Sequence, residues 1–291
     1  QAFARLGAKV TQVERDDRIL LREDEEVSAL AKASQEDSGV RVLTGHNAQR
    51  VEVNGDEKQL IVEHDGRETT IGYDALIMAV GRKARLSGYG LEELGIDTNR
   101  TVVTDDYLAT VFPNIFAAGD VAGPYQFTHT ASHQAWYASV NALFGQFKKF
   151  KVDYRVIPWV TFTDPEIARV GLNEQDAQEQ GVDCEVTTYG LDDLDRAITE
   201  SETKGFVKVL TPPGKDKILG ATIVGANAGE LLAEYTLAMK HGLGLNKILG
   251  TIHPYPTMAE ANKFAAGEWK RANKPEKLLN FVEKYHKWRC G

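Results

Sequence analysis

Asp120 is the residue whose setting most clearly prepares it for chemistry. It follows the apolar run Ile115-Phe-Ala-Ala118 and the single glycine Gly119. That pattern predicts a strand over 115–118 that stops at a glycine and presents a carboxylate at its C-terminal end. Open α/β sheets bind their ligands at such ends. A carboxylate there accepts hydrogen bonds from the hydroxyls of a sugar or ribityl chain. Helical periodicity resumes from 128, so Thr128 and His129 open the next helix. His129 and His133 lie one helical turn apart, as metal ligands do, but no third ligand accompanies them and no metal site is expected.

Two further groups carry candidate chemistry. Glu14 ends a predicted strand over 9–13, where a carboxylate accepts from both ribose hydroxyls of an adenosine and repels a 2′-phosphate, favouring NADH. The competing reading is a surface glutamate in the run Glu14-Arg-Asp-Asp-Arg18, with Arg15 as a neighbouring phosphate acceptor. Gly81, with Arg82, ends a predicted buried strand over 75–80. It either lets the backbone approach a nucleotide or makes a plain turn. Near the C-terminus, His253-Pro-Tyr-Pro-Thr-Met-Ala-Glu260 brings an imidazole, a phenol and a carboxylate into eight residues. A phenol, with a pKa near ~10, is a poor base at neutral pH but a competent hydrogen-bond donor. The spacing Thr257 to Glu260 is also that of a capping box, which needs no catalysis.

The elements that must position these residues divide the chain in three. Residues 1–83 read as a Rossmann-like nucleotide-binding α/β unit. An opening helix ends at Gly7, a helix covers 27–33, and a strand follows at 40–43. Three strand-like runs over 47–53, 59–64 and 67–71 turn at Asn54-Gly55 and Asp65-Gly66. Residues 84–150 hold the Asp120 segment and the helix after it, closing near Gly145. Residues 151–291 read as α+β: a strand over 156–162, Asp164-Pro165-Glu166 as a helix start, and paired strands over 205–210 and 218–224. Two helices follow, opened by Asn227-Ala-Gly-Glu230 and by Thr257-Met-Ala-Glu260. The fold class is therefore α/β plus α+β.

Composition bounds the class. A chain of 291 residues with 42% hydrophobic and 26% charged residues is an ordinary globular composition of two or three domains. A net charge of −8 argues against nucleic acid or an anionic membrane as the main partner. The basic tail after Trp269 is the local exception and reads as a solvated helix face. Two cysteines, Cys184 and Cys290, make no disulfide framework, which suits a reducing, cytoplasmic setting. No apolar run approaches the ~18 residues that span a bilayer.

The run from Asp105-Asp-Tyr-Leu108 through Pro113-Asn-Ile-Phe-Ala-Ala-Gly-Asp120 resembles the second FAD-contacting motif of the pyridine nucleotide-disulfide oxidoreductases, the family of glutathione reductase, dihydrolipoamide dehydrogenase and mercuric reductase. The resemblance extends over essentially the whole chain. It implies an NAD(P)-binding domain with a β-meander, the returning part of an FAD domain, and a dimerisation domain that makes the whole protein a homodimer. It implies that Asp120, after Gly119, holds the ribityl chain of FAD. It places the backbone N–H of Thr128, beside His129, at the flavin pyrimidine, and makes Gly81 a nucleotide contact. Disulfide reductases of this family carry His-Pro-Thr-x-x-Glu near the C-terminus. Matching Pro256, Thr257 and Glu260 puts Tyr255 at the base position, where mercuric reductases also have tyrosine; His253, two residues earlier, is the alternative base. Cys290 matches one member of a C-terminal metal-handing pair and, standing alone, is expected to be a terminal thiol without a role.

The implied activity passes electrons from NADH through FAD to a disulfide, a thiol-bound metal or another small-molecule substrate. A dihydrolipoamide dehydrogenase-like enzyme and a non-catalytic dimerisation module remain the alternatives. The glycine loop that would precede Gln1 and a Cys-x4-Cys pair are not in these 291 residues, so they are expected to be the C-terminal portion of a longer enzyme and to bind little FAD alone.

Overall fold

Residues 1–74 alternate helical and extended stretches. The structure, a computed structural model that describes residues 1–290, turns them into a parallel strand pair followed by a meander. After α1 (Ala2–Arg5), β1 (Val10–Val13) is joined to β2 (Val40–Leu43) through α2 (Glu25–Asp37). The two strands pair in parallel from Val10↔Val40 to Val13↔Leu43. Val27 and Ala31 of α2 pack with Ile19, Val40 and Val42, because their i, i+4 spacing puts both on the face turned to the strands. The antiparallel strands β3 (Asn47–Asn54), β4 (Glu57–His64) and β5 (Arg67–Gly72) follow. Gly55, Asp65 and Gly66 take positive φ at their turns, as tight hairpins require.

The strand expected over 75–80 does not form. Residues 75–80 are irregular and exposed, with Ile77, Met78 and Val80 facing solvent. A strand that is apolar on both faces needs neighbours to cover it. The parallel sheet made by these residues has two strands, and 75–80 pairs with neither.

Residues 75–157 make a separate unit. Its core gathers Leu91, Ile96, Val102 and Ala117, with Ile115 and Val121 packed against them. Strand structure is slight: β6 (Thr98–Asn99) pairs β7 (Thr101–Val102). The strand expected over 115–118 is reduced to one bridge, Phe116 to Ala109. The helix is as expected: α3 (Thr128–Phe144). Its buried Asn141 donates to the Tyr107 and Phe150 carbonyls at 3.0 and 2.9 Å and accepts from the Phe150 N–H at 2.7 Å, fastening the end of α3 to its flanks.

The remaining residues belong with 1–74 in one unit. Their elements are β8 (Pro158–Thr161), β9 (Glu166–Gly171), α4 (Glu174–Gln180), β10 (Glu185–Gly190), α5 (Asp195–Glu200), β11 (Phe206–Thr211), β12 (Gly220–Gly225), α6 (Ala228–Lys240), α7 (Leu245–Leu249), α8 (Glu260–Ala272) and α9 (Glu276–Cys290). The five strands form an antiparallel sheet in the order β10-β11-β12-β9-β8. Helix α6 packs on β8, β9 and β12, and α8 on β10 and β11.

Two helix starts differ from expectation. Asp164-Pro165-Glu166 opens no helix: Glu166 begins β9, whose Ile167, Ala168 and Val170 are buried. Asn227 precedes α6 in a left-handed conformation and makes no side-chain cap. The Glu166 carboxylate caps α6 instead, accepting from the Gly229 N–H at 3.0 Å. A carboxylate from another strand satisfies the orphan donor as well as a local one does.

Candidate functional site

Gly119 and Asp120 are held against α3. Gly119 has φ +83°, and a Cβ added there would sit 3.4 Å from that of Ala131 in the first turns of α3. Its N–H donates to Gln134 Oε1 at 2.6 Å. The Gln134 amide, fully buried, also donates to the Gly123 carbonyl and to the Tyr154 hydroxyl, both at 2.6 Å. One side chain thus fixes both ends of the turn that presents Asp120. Sequence reading missed Gln134; a glutamine inside a helix carries no signal until the turn is folded over it.

The Asp120 side chain is 39% exposed and has the Arg82 guanidinium at 3.6 Å. Arg82 in turn donates to the Gln126 carbonyl at 2.9 Å. Gly81, just before it, is exposed with φ +129° and open space where a Cβ would stand. Helix α3 begins at Thr128 after Phe127, and no side chain caps it. Among the described residues the buried Thr130 hydroxyl has no hydrogen-bond partner. His129 stacks on Phe127 with ring centroids 5.1 Å apart, and His133 packs edge-on to Tyr137. The two imidazoles are thus committed to different rings.

These groups suit an acidic, hydroxyl-bearing cofactor. The part-exposed carboxylate offers acceptors to a polyol, and the uncapped helix start offers N–H donors and a positive dipole end to an oxygen-rich ring. The orphaned Thr130 hydroxyl is the kind of buried polar group that a bound partner satisfies.

Glu14 lies at the end of β1, where its carboxylate accepts from the Asp16 N–H at 3.1 Å. Arg15 points its guanidinium to Asp16 at 3.5 Å.

The C-terminal motif splits. Tyr255, 71% exposed, donates its hydroxyl to Asp195 Oδ2 at 2.9 Å. That hydrogen bond and the Asp195 charge raise the phenol above its usual pKa. Glu260 is buried; its Oε2 accepts from the Thr257 N–H at 3.2 Å, while the Thr257 hydroxyl turns back to the Pro254 carbonyl. Only the carboxylate half of the capping box therefore forms. Tyr255 and Glu260 line a cavity of about 270 Å³ with Tyr189, Asp195, Phe264 and Arg271. Burial, then the nearby Asp193 and Asp192, push the Tyr189 phenol up to about 12.

His253 does not share this cavity. Its side chain is 6% exposed, with Nε2 at 3.0 Å from Glu234 and Nδ1 at 3.1 Å from the Thr251 carbonyl. Asn262, also buried, donates to Glu234 at 2.9 Å. Both ring nitrogens are committed to oxygens. The partner of His253 is thus Glu234, 19 residues earlier in the chain, rather than Glu260 of its own motif, and only the packing of α6 brings it near.

A second set of charges was not foreseen. Lys208 of β11 is 2% exposed, and its ammonium meets Asp24 at 2.8 Å, Glu174 at 2.6 Å and Glu26. Burial lowers its pKa, but the three carboxylates outweigh this and hold it above the usual lysine value. Arg169 of β9 pairs Glu23 at 2.9 Å and Asp176, donates to the Arg22 carbonyl, and lies 4.4 Å over the Trp159 ring. The three carboxylates lie close enough to hold a metal ion, but the ammonium already sits among them. These pairs clamp the segment after β1 to the five-stranded sheet.

Comparison with known proteins agrees with this architecture. Residues 1–135 match the pyridine nucleotide-disulphide oxidoreductase family, and residues 157–266 match the dimerisation domain of pyridine nucleotide-disulphide oxidoreductases. The chain belongs to that family. It is 38% identical to a mercuric reductase of Staphylococcus aureus over 91% of this chain and 49% of the relative. It is 34% identical to a dihydrolipoyl dehydrogenase of Chlamydia muridarum, over 89% of this chain and 54% of the relative. Among solved structures, the HOCl-induced flavoprotein disulfide reductase RclA from Escherichia coli superposes with a TM-score of 0.82 at 28% identity, over 91% of this chain and 60% of that one. The chain spans about half the length of the curated relatives it matches.

Proposed function

We propose that this chain is the C-terminal portion of an FAD-dependent NAD(P)H oxidoreductase that passes electrons from NADH to a disulfide or thiol-bound metal, in the manner of a mercuric reductase. The observation that carries the reading is the Gly119–Asp120 turn, locked by Gln134 at the uncapped start of α3. Asp120 would accept from the ribityl hydroxyls of FAD, and the backbone N–H groups at the start of α3, at Thr128 and His129, would donate to its ring. FAD, when bound, supplies the two-electron chemistry that links a hydride donor to a thiol acceptor. Glu14 receives the adenosine ribose, and Gly81 gives the dinucleotide close access to the backbone. NADH is favoured over NADPH because the Glu14 carboxylate at the end of β1 repels a 2′-phosphate.

Tyr255 serves as a protonated phenol near the acceptor rather than as a base, since Asp195 keeps it protonated, and it donates to the acceptor only on leaving Asp195. Glu260 holds the loop that carries it. The reading includes the three-part division at about 83 and 150, a homodimer built through the C-terminal part, a cytoplasmic location and a role in cell redox homeostasis. A lipoamide-reducing alternative requires His253 as base, and the Glu234 pairing and burial of that imidazole weigh against it.

The test is Asp120→Ala in the full-length protein. The expected result is loss of the flavin absorbance band and of NADH-dependent acceptor reduction. A variant that purifies with a full complement of flavin and unchanged turnover would refute the reading. Lipoamide turnover abolished by His253→Ala and spared by Tyr255→Phe would select the alternative.

A further inference from the structure

The C-terminal helix takes no part in the chemistry proposed above. Helix α9 buries none of its described residues and begins ten residues beyond the matched dimerisation domain. Leu278, Phe281, Val282, Tyr285 and Trp288 recur at i, i+3, i+4, i+7 and i+10, which gathers them on one arc of roughly 120°. Phe281 and Trp288 are 66% and 79% exposed. The tail is therefore more than the solvated helix face expected of it.

Charge is distributed unevenly around that arc. Glu276 and Glu283 fall on the opposite side, where Glu283 accepts from Lys287 at 2.6 Å. Lys277 and Lys284, one heptad apart, border the apolar arc, and Arg289 emerges at its C-terminal end. Four cations face two carboxylates in this helix, against a chain whose net charge is −8. Lysines beside a strip of Trp, Tyr and Phe are the composition of a helix lying in a membrane interface, where amphipathic rings sit at headgroup level. At 15 residues, about 22 Å long, α9 is too short to cross a bilayer.

We propose that α9 docks the protein on an anionic lipid surface, its apolar arc among the acyl chains and Lys277 and Lys284 on the lipid phosphates. This inference stands whether or not the chemistry proposed above is right, because it uses none of the same residues.

The test is co-sedimentation of the full-length protein with phosphatidylcholine vesicles with and without phosphatidylserine. Binding is expected only with phosphatidylserine, reversed by high salt and weakened roughly fivefold for each of Lys277→Ala and Lys284→Ala. Phe281→Asp with Trp288→Asp, or removal of residues 274–291, should abolish it while leaving the thermal transition in place. No binding to anionic vesicles, or equal binding by the double variant, would overturn the proposal. So would a double variant that changes the oligomeric state in a protein that ignores vesicles, since the arc would then face another protein.

Discussion

At the scale of single residues, hydrogen-bond satisfaction decides most of what matters. Gln134 spends its whole amide on the turn before α3, so Gln134→Leu leaves the Gly119 N–H, the Gly123 carbonyl and the Tyr154 hydroxyl without that partner. Each buried group so stranded costs on the order of 1–3 kcal/mol. The expected outcome is a lower melting temperature together with weaker flavin retention, measured by thermal denaturation and absorbance. Tyr255 gives a pH prediction. Its folded pKa is raised, so its hydrogen bond to Asp195 is fully present below the unfolded-state value and is lost as pH rises through the folded one. Asp195→Asn should move the onset of tyrosinate absorbance from this residue to lower pH; an unchanged titration would show that Asp195 does not hold the phenol. Gly119, Tyr255 and His253 were all legible as candidates from type and spacing. Their partners Gln134, Asp195 and Glu234 were not, because each comes from another part of the chain.

At the scale of elements, the charged clamp on β9 and β11 is the feature that most exceeds local rules. Lys208 sits in a strand between the apolar pairs Phe206-Val207 and Val209-Leu210, and Asp24 beside it is also buried. Lys208→Met removes one partner and leaves a buried carboxylate unpaired, at a cost of about 3–5 kcal/mol. Urea denaturation should show this loss, and Lys208→Met combined with Asp24→Leu should recover much of it, since a buried pair exchanged for apolar groups is often neutral. A single variant as stable as the parent would contradict the role assigned to the clamp. Because the folded pKa of Lys208 is raised, its stabilisation is complete below the unfolded lysine value and fades only as pH climbs through the folded one. The hairpins of the meander were readable in advance, since Asn54-Gly55 and Asp65-Gly66 specify their turns locally. The strand over 115–118 was not: four apolar residues report burial, and burial is equally served by the irregular packing around Ala117 and Val121.

At the scale of the whole molecule, the family assignment carries a prediction about assembly. The full-length protein should sediment as a dimer whose contact lies within residues 157–266, and a monomer at high concentration would oppose that. The same measurement on a protein lacking residues 274–291 should still give a dimer, because α9 begins after the matched dimerisation domain.

The amino-acid sequence by itself determined the order of α/β and α+β parts, the meander turns, helix α3 and the Gly119–Asp120 position. All of these rest on periodicity or on residues that act within a few positions of one another. Tertiary structure alone decided that Glu166 caps α6, that His253 answers to Glu234, that Gln134 locks the Asp120 turn and that Lys208 is balanced by Asp24, Glu26 and Glu174. Each of those pairings joins groups far apart in the chain. A buried donor or charge takes whichever partner the packing delivers, and nothing in its sequence neighbourhood names that partner in advance.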